Sequence, residues 1–317
     1  MPTRTSVLAI IGLVTAAVNA ASAETVATFT RNPANPILRG VRIGSEMAAK
    51  SLNARVLHYI PRNEVAPEQL GLIDEVIRAK PDAVVLAPFD PQVMVAAVDK
   101  LNAAGIAVTN VNERLAGGRV VAYVGTDDHQ LARATAHFLI EAMGRKGNVV
   151  ILEGPENLPT SVARVKAYKE AIAEVPDMKL LASKSANYAR QPAADLMKTF
   201  LRRYPEIDGV LAANDPMAIG AIEALKAAKK KALVVGINAS REVLELVKSG
   251  DLLGSGDYNG FIQGCLATEI ALRNLRKQPT PKEVMLKAVI MDKTNYQAYE
   301  APMEQRKCPA LADVAGN

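Results

Sequence analysis

The stretch IDGVLAANDPMAIGAIE, residues 207–223, decides the fold of this chain. Residues 209–213 form a short apolar run, which is typical of a strand in a sheet that is covered on both faces. Asp215 is placed to cap a following helix, and Pro216 suits the first position of that helix. The pattern therefore predicts a buried strand that turns directly into a helix, with Asn214 at the carboxyl end of the strand.

Asn214 is the first candidate for a binding residue. Ligands of open parallel sheets bind at the carboxyl ends of the strands. An Asn side chain at that edge can donate and accept hydrogen bonds in one plane, which suits a ligand rich in hydroxyl groups. The competing interpretation is that Asn214 only closes the turn between strand and helix.

The same corner occurs twice in the chain. Residues 82–111 and residues 208–238 share the order Asp, apolar strand, Asp-Pro, helix and strand. Such a repeat indicates one β-α-β unit used in two similar halves, because parallel strands need a crossover helix between them.

Strand and helix patterns alternate through the rest of the chain. Strands are predicted at 24–30, 56–60, 83–87, 106–111, 120–124, 148–152, 178–182, 209–213, 232–238, 252–257 and 284–291. Helices are predicted at 37–52, 67–80, 91–104, 128–143, 160–174, 190–204, 217–228, 240–248 and 258–276. The alternation predicts an α/β fold with two similar, doubly wound parallel-sheet lobes. Residues 294–317 have weak periodicity, and we expect this tail to pack as a strap or to stay loose.

The first residues are typical of a secretory signal. Arg4 precedes an apolar run at 7–18, and the small residues 21–23 form a cleavage site before Glu24. The apolar run is too short for a membrane span, which needs about 20 apolar residues. We therefore expect cleavage after Ala23 and export of the mature chain.

The charge and the cysteines argue against several classes of function. The net charge of +5 is small and scattered, and the densest basic run, residues 229–231, sits at a turn, so we predict no nucleic-acid partner. Cys265 and Cys308 are too far apart for a metal-ligand pair, and they are compatible with one disulfide and equally with two free thiols. Because the three histidines form no zinc signature and no phosphate-loop or dinucleotide motif occurs, we predict no metal and no cofactor.

Four motifs, taken in order, carry a family resemblance. They are Asn35-Pro36, GTD at 125–127, TSVAR at 160–164, and AND at 213–215. With the signal, they resemble the ribose-binding-protein class of periplasmic solute receptors, over residues 24–293. The resemblance implies two α/β lobes joined by a three-strand hinge, which close on a sugar and deliver it to the permease of an ABC importer. It implies no chemistry of the receptor's own.

The resemblance also implies domain bounds and a location. An N-terminal lobe of residues 24–126 and 258–286 would face a C-terminal lobe of residues 127–257 and 287–317, which includes the tail. The mature chain would work in the periplasm as a monomer, since such a receptor docks on its transporter as one unit.

Site residues carry over position by position. Asn35, Arg164 and Asn214 match residues that bond sugar hydroxyls, and Tyr188 matches an aromatic residue that packs on the ring. Asn238 falls where the family usually has Asp. The complete set of predicted ligand-binding residues is Arg31, Asn35, Leu38, Asn112, Glu113, Arg164, Tyr188, Asn214, Asn238 and Asp257.

The first lobe departs from the ribose binders. Residues 112–113 are Asn-Glu where ribose binders have Asp-Arg, and Arg114 follows one step later. Residues 37–38 are Ile-Leu in place of two Phe, and Arg31 stands in place of a Ser. This lobe therefore loses stacking rings and its binding Arg, and it gains a carboxylate.

These departures widen the range of ligands. Asp257 replaces a Gln of the ribose binders, so a ligand with a cationic group facing Glu113 and Asp257 would fit, as would a smaller or linear polyol. The competing interpretation is that Glu113 points to solvent, and whether Glu113 or Arg114 faces the ligand stays open.

Three other classes of function compete with a transport receptor. A transcriptional regulator of the lactose-repressor type shares the two-lobe fold, but it needs a helix-turn-helix where this chain has a signal. An exported glycosidase needs two carboxylates about 5 to 9.5 Å apart, for which Glu113 and Asp257 are the nearest candidates. A periplasmic sensor receptor for a chemoreceptor or kinase would have the same sequence features as a transport receptor.

Overall fold

Strands and helices alternate along the computed structural model, which describes residues 23–31, 33, 35–62 and 66–315. The predicted signal falls almost entirely on residues 1–22, which lie outside the described residues. The strands are β1 Thr25–Phe29, β2 Arg55–Tyr59, β3 Ala83–Leu86, β4 Ala107–Val111, β5 Tyr123–Thr126, β6 Gly147–Glu153, β7 Met178–Ser185, β8 Gly209–Ala212, β9 Leu233–Ile237, β10 Gly254–Asp257, β11 Glu283–Leu286 and β12 Val289–Asp292. The helices are α1 Pro36–Ser51, α2 Ala66–Ala79, α3 Val95–Ala103, α4 Asp128–Ala142, α5 Pro159–Ala173, α6 Arg190–Arg203, α7 Asp215–Ala227, α8 Leu244–Ser249, α9 Gly260–Leu275 and α10 Leu311–Ala315.

Two six-stranded sheets have the same strand order. The first sheet runs β11-β5-β4-β3-β1-β2, and the second runs β12-β10-β9-β8-β6-β7. The strand pairs are parallel except β10 with β12, which is antiparallel. We call the body around the first sheet the first lobe and the body around the second sheet the second lobe. The prediction of two similar, parallel-sheet α/β lobes is confirmed.

The two copies of the repeated corner begin with the same contact. The Asp82 carboxylate accepts a hydrogen bond of 2.7 Å from the backbone N–H of Thr25, at the start of β1. The Asp208 carboxylate accepts one of 2.7 Å from the N–H of Asn148, near the start of β6. Each Asp thus satisfies an amide at the beginning of the neighbouring strand, which explains why both copies start with this residue type.

The predicted cap of α7 is wrong by one residue. The backbone of Asn214 is extended, with φ −157° and ψ 168°, and its Oδ1 accepts a hydrogen bond of 3.0 Å from the N–H of Met217. Asn214 is therefore the N-cap, and Asp215 is the first helical residue. Asp215 is fully buried, and its carboxylate instead accepts hydrogen bonds from the Ser240 N–H (2.7 Å) and the Ser255 hydroxyl (2.5 Å).

Other predicted bounds also shift. The helix predicted at 91–104 begins only at Val95, because Asp90 Oδ1 accepts hydrogen bonds from the N–H groups of Gln92 and Val93 and holds a turn there. The single strand predicted at 284–291 is two strands, β11 and β12, which belong to different sheets. The chain therefore passes from one lobe to the other between residues 286 and 289.

Helices α1 and α9 of the first lobe pack closely against each other. A Cβ atom added at Gly44 of α1 would lie 2.0 Å from the carbonyl oxygen of Phe261, and one at Gly264 of α9 would lie 2.0 Å from that of Val41. Only glycine permits this approach of two backbones. In the described part of the chain, no helix is both long and apolar enough to cross a bilayer.

The structure decides whether the tail is packed or loose and whether the two cysteines are bonded or free. The described part of the tail, residues 294–315, packs on the body of the molecule and contains short 3₁₀ helices at Tyr296–Tyr299 and Met303–Gln305 before α10. Cys265 on α9 and Cys308 in the tail form a disulfide, with their Cα atoms 5.5 Å apart.

Candidate ligand-binding site

A cavity of about 300 Å³ lies where the carboxyl ends of the two sheets face each other. Its lining residues follow strands of both sheets or stand at helix starts, as expected for ligands of parallel α/β folds. The lining comprises Arg31, Asn35, Pro36, Ile37, Phe89, Asn112, Glu113, Pro155, Leu158, Thr160, Arg164, Asn187, Tyr188, Asn214, Pro216, Asn238 and Tyr258.

Arg31 and Glu113 form the charged part of the first-lobe wall. Glu113 is only 4 % exposed, so the interpretation that it points to solvent is wrong. Arg31 donates to the carbonyl of Pro88, and its Nη2 lies 3.7 Å from Glu113 Oε1. Burial raises the pKa of the Glu113 carboxyl, an effect that the charge of Arg31 opposes. Among the described residues, Glu113 Oε1 has no hydrogen-bond partner.

The loop that carries Glu113 is held by Asn110. The Asn110 side-chain amide donates to the carbonyls of Leu86 (3.2 Å) and Glu113 (2.9 Å), and its Oδ1 accepts from the N–H of Leu115 (3.0 Å). Sequence reasoning missed this residue, although a polar side chain in the otherwise apolar run before Asn112 was its signal. Asn110 is a positioning residue, since its side chain bonds only backbone groups.

Asn112 lines the cavity from a left-handed turn. Its φ is +65°, a conformation that Asn adopts more readily than most residues. The N–H of Asn112 donates to Gln263 Oε1 (3.2 Å), and its carbonyl accepts from the Tyr123 hydroxyl (2.8 Å). Arg114 lies outside the cavity. Its guanidinium pairs with Glu283 at the surface and stacks 4.0 Å over the Tyr123 ring.

Arg164 is the charged residue of the second-lobe wall, and Asp128 pairs with it from outside the lining. Arg164 Nε donates to Asp128 Oδ1 (2.6 Å) and Nη1 donates to the carbonyl of Ala213 (2.8 Å). The guanidinium lies 5.0 Å from the ring centre of Tyr258 and 5.9 Å from that of Tyr188. Burial raises the pKa of the Asp128 carboxyl, and Arg164 opposes this shift. The Tyr258 hydroxyl adds a bond of 3.2 Å to Asp128 Oδ2.

Three predicted amide residues lie at the edge of the cavity with part of their side chain or backbone already bonded. Asn214 Oδ1 caps α7 and its Nδ2 donates to the carbonyl of Tyr188 (2.9 Å), so its bonds are those of the turn-closing interpretation. Asn35 Oδ1 caps α1 by accepting from the N–H of Ile37 (2.9 Å). Asn238 has a φ of 133°, and its N–H donates to the carbonyl of Gly256 (2.7 Å).

Residues 26–279 match the family described as the periplasmic binding protein domain. The chain belongs to the periplasmic binding protein family. It is 30 % identical to a xylitol-binding protein of Mycolicibacterium smegmatis, over 83 % of this chain and 76 % of that one. It is 29 % identical to a D-apiose import binding protein of Paraburkholderia graminis, over 89 % of this chain and 92 % of that one.

A solved structure of this family shares the fold. It is an ABC transporter periplasmic solute binding protein of Actinobacillus succinogenes with bound D-allose, with a TM-score of 0.83 and 31 % sequence identity. The match covers 87 % of this chain and all of that one (100 %).

Two predicted site residues of this periplasmic binding protein lie outside the cavity. Leu38 is fully buried in the core of the first lobe, and its neighbour Ile37 lines the cavity instead. Asp257 ends β10 with its carboxylate bonded to the Asn259 N–H (2.7 Å) and the Tyr299 hydroxyl (3.0 Å). Because neighbouring side chains of an extended chain point to opposite sides, the residue that reaches the cavity is Tyr258.

The position of Asp257 outside the cavity also argues against the glycosidase hypothesis, which needs two carboxylates at one site. Glu113 lines the cavity and Asp257 does not, so the two do not flank a common ligand position. Within the residues that the structure describes, no group of three His, Cys, Asp or Glu side chains is arranged to hold a metal ion.

Sequence reasoning missed the aromatic residues Phe89 and Tyr258 and the hydroxyl of Thr160. Phe89 and Tyr258 lie one to three residues beyond β3 and β10, so their position after a strand was a usable signal. Thr160 stands at the start of α5, and its hydroxyl lies 3.3 Å from that of Tyr188. With Tyr188, these rings restore apolar faces that the Ile-Leu pair at 37–38 does not supply.

Proposed function

We propose that this protein is a periplasmic receptor that binds one neutral sugar or polyol between its lobes and delivers it to the permease of an ABC importer. The observation that carries the proposal is the cavity itself, which both lobes line with amides, hydroxyls, charged groups and rings. The similar proteins include a xylitol-binding protein, a D-apiose import binding protein and a structure with bound D-allose, which supports the ligand class. No chemical step is part of this function.

The size of the cavity favours a single small ligand. Its volume of about 300 Å³ is at the lower end of the range for ligand pockets, which is about 300 to 1,000 Å³. A monosaccharide or a short polyol fits this space, whereas a longer oligosaccharide needs an open groove.

The charges around the cavity favour a neutral ligand. Arg31 faces Glu113 in the first lobe, and Arg164 pairs with Asp128 in the second, so the four groups sum to zero charge. An amino sugar or a sugar acid would add one charge without a buried partner, and this is costly in a dry site. This argument replaces the idea of a cationic ligand between Glu113 and Asp257, since Asp257 lies elsewhere.

Glu113 Oε1 is the strongest candidate for direct contact with the ligand. It is buried, it faces the cavity, and it has no hydrogen-bond partner in the described part of the chain. A ligand hydroxyl donated to this oxygen would satisfy it, and hydrogen bonds to charged groups are worth about 1.5 to 3 kcal/mol. The remaining donors of Arg164 and of the side-chain amides would then orient the other hydroxyls.

The lobe bounds and the cellular location form part of the same proposal. Lobes of residues 24–126 with 258–286 and 127–257 with 287–317 agree with the membership of the two sheets, except that the end of the tail packs on the first lobe. We propose a monomer that is exported after cleavage at Ala23 and closes on its ligand by a hinge motion.

A thermal-shift screen on the chain from Glu24 tests the function. Xylitol, D-apiose, D-allose, D-ribose and myo-inositol are compared with D-glucosamine and D-gluconate as charged analogues of similar size. We expect at least one neutral compound to raise the melting temperature, because a ligand that binds only the folded state stabilises it. Calorimetry then gives the affinity. Stabilisation by amino acids or by a charged analogue, and by no neutral compound, would contradict the proposal.

A further inference from the structure

The tail makes contacts with the second lobe in its first half. The Tyr299 hydroxyl donates to Asp257 Oδ2 at 3.0 Å, beside the crossover that follows β10. Glu300 pairs with Lys248 of α8 at 2.9 Å, and the Lys248 ammonium lies 5.5 Å from the centre of the Tyr296 ring. The tail is thus attached to the second lobe by residues 296–300.

The second half of the tail contacts the first lobe. Glu304 pairs with Arg39 of α1 at 2.8 Å, and Met303 packs in a small cluster with Phe261 of α9. The disulfide between Cys308 and Cys265 then joins the tail covalently to α9. Beyond it, the N–H of Leu311 donates to Glu269 of α9 at 3.0 Å.

Little free chain separates the two attachments. Only residues 301–303 stand between Glu300 and Glu304, and four residue steps span at most about 14 Å when fully extended. Arg306 braces this segment by donating to the carbonyls of Tyr299 (3.0 Å) and Ala301 (3.1 Å). The lobes therefore cannot move far apart at this position unless one attachment is released.

The tail also lies next to the ligand cavity. A second cavity of about 850 Å³ is lined by tail residues from Ala298 to Pro309 and by both lobes. It shares Pro36, Ile37 and Asn238 with the ligand cavity. The tail thus runs along one flank of the space that opens when the lobes separate.

We propose that the tail is a strap, anchored by the Cys265–Cys308 disulfide, that limits the opening of the lobes and thereby strengthens ligand binding. It acts in addition to the three crossovers near residues 126, 257 and 286. The statement about opening stands alone, whereas the statement about affinity rests on the proposed function. When only the closed state binds tightly, the apparent Kd rises as the closed fraction falls, so a strap that raises this fraction lowers the Kd.

Small-angle scattering without ligand tests the effect on opening. Cys308→Ser with Glu304→Gln releases the first-lobe end of the strap, because the two changes remove the disulfide and the pair with Arg39. Tyr299→Phe with Glu300→Gln releases the second-lobe end. We expect each release to raise the radius of gyration. Because the two attachments act in series, releasing both should add little beyond releasing one. Lys226→Gln is the matched control, since it breaks an exposed pair with Asp251 inside the second lobe, away from the strap.

Reduction of the disulfide in the Glu304→Gln variant provides a second route if the variant with Cys308→Ser folds poorly. The reduced chain should show the same increase in radius of gyration. An unchanged radius after reduction and after both releases would overturn the strap, as would effects that add fully in the combined variant.

Affinity is measured with xylitol, D-apiose and D-allose as probes. For a probe that binds, we expect release of either end to raise the Kd roughly tenfold, mainly through faster dissociation. A wider apo molecule with an unchanged Kd would overturn the link to affinity. If neither these probes nor any other neutral compound of the thermal-shift screen binds, the proposed ligand class fails, and the scattering result still decides whether the strap restrains the lobes.

Discussion

At the scale of single residues, the buried carboxylates at strand ends have different roles: one faces the ligand cavity and the others hold parts of the fold together. Glu113 faces the cavity with an oxygen that has no hydrogen-bond partner among the described residues. Asp215 instead bonds the loop after β9 through Ser240 and the strand β10 through Ser255. Asp257 is used by the tail. Residues of one chemical type at strand ends thus serve three different purposes, and their partners identify which is which.

Glu113→Gln should weaken ligand binding more than it changes stability. The substitution keeps the shape but removes the charge that a ligand hydroxyl would meet, so we expect a loss of about 1 to 3 kcal/mol, or roughly tenfold to hundredfold in Kd. The stability of the apo protein should change little, because burial, which raises the pKa of this carboxyl, disfavours its charge and offsets the loss of the 3.7 Å pair with Arg31. Calorimetry and urea unfolding measure the two effects. Glu283→Gln, at an exposed pair with Arg114, is the control, and equal Kd values for the two variants would refute the role of Glu113.

Asp215 should make stability depend on pH. Burial raises its pKa to about 6, above the value of about 3.9 for an unfolded chain. The folded state therefore binds more protons than the unfolded state between these values, so the free energy of unfolding falls as pH rises through this window. The contribution is at most about 3 kcal/mol, since one pKa unit is about 1.36 kcal/mol.

Comparison with Asp215→Asn isolates this contribution. The free energy of unfolding of the wild type minus that of the variant should decrease from pH 4 to pH 6.5, as measured by urea unfolding at each pH. A difference that stays constant across the window would show that Asp215 does not titrate there.

At the scale of elements, the contact between α1 and α9 holds one side of the site. The first turn of α1 carries Asn35, Pro36 and Ile37 to the cavity, and α9 begins directly after Tyr258. Gly44 lets the two helix backbones meet. The position of the ligand-facing ends therefore depends on a residue in the middle of α1.

Gly44→Ala should be strongly destabilising. Its added Cβ would lie 2.0 Å from the carbonyl oxygen of Phe261, so the helices must separate, at a cost of about 1 to 3 kcal/mol or more. Gly71→Ala on α2 is a matched control, because nothing lies within 4 Å of its added Cβ. That variant should gain up to about 1 kcal/mol from helix propensity. Urea unfolding of both variants is the measurement, and similar effects of the two would contradict the role of Gly44 as a close contact.

At the scale of the whole molecule, two similar lobes meet at a site that neither can form alone. Gln263 of α9 links the crossovers to the site, since its amide donates to the carbonyl of Tyr258 (2.8 Å) and its Oε1 accepts from the N–H of Asn112. The Thr126 hydroxyl donates to the same carbonyl at 2.8 Å. A rotation at the crossovers would thus be transmitted to the ligand loop.

Ligand binding should therefore make the molecule smaller. We expect a lower radius of gyration in small-angle scattering with a saturating neutral ligand, because a hinge motion brings the lobes together with little change inside either one. D-gluconate, at the same concentration, is the control for effects of the solution. An identical radius with a ligand whose binding calorimetry confirms would show that the lobes do not move.

The sequence by itself determined the alternation of strands and helices, the repeat of the Asp-strand-Asp-Pro corner, and eight of the 17 residues that line the cavity. These features follow from local periodicity and from the rule that parallel strands end at one edge. Arg31, Asn35, Asn112, Glu113, Arg164, Tyr188, Asn214 and Asn238 were all predicted to face the ligand, and all line the cavity, while their role in binding stays a proposal.

Only the tertiary structure decided that Tyr258 rather than Asp257 reaches the cavity, that Asn214 caps α7, and that the tail bridges the lobes. The partners that decide these outcomes are distant in sequence: Tyr299 for Asp257, Ser240 and Ser255 for the Asp215 carboxylate that was expected to cap α7, and Cys265 for Cys308. A pattern of a few residues cannot encode which of two neighbouring side chains meets a partner 42 positions away. The physical reason is that periodicity fixes the faces of an element, whereas the packing of separate elements selects what each face meets.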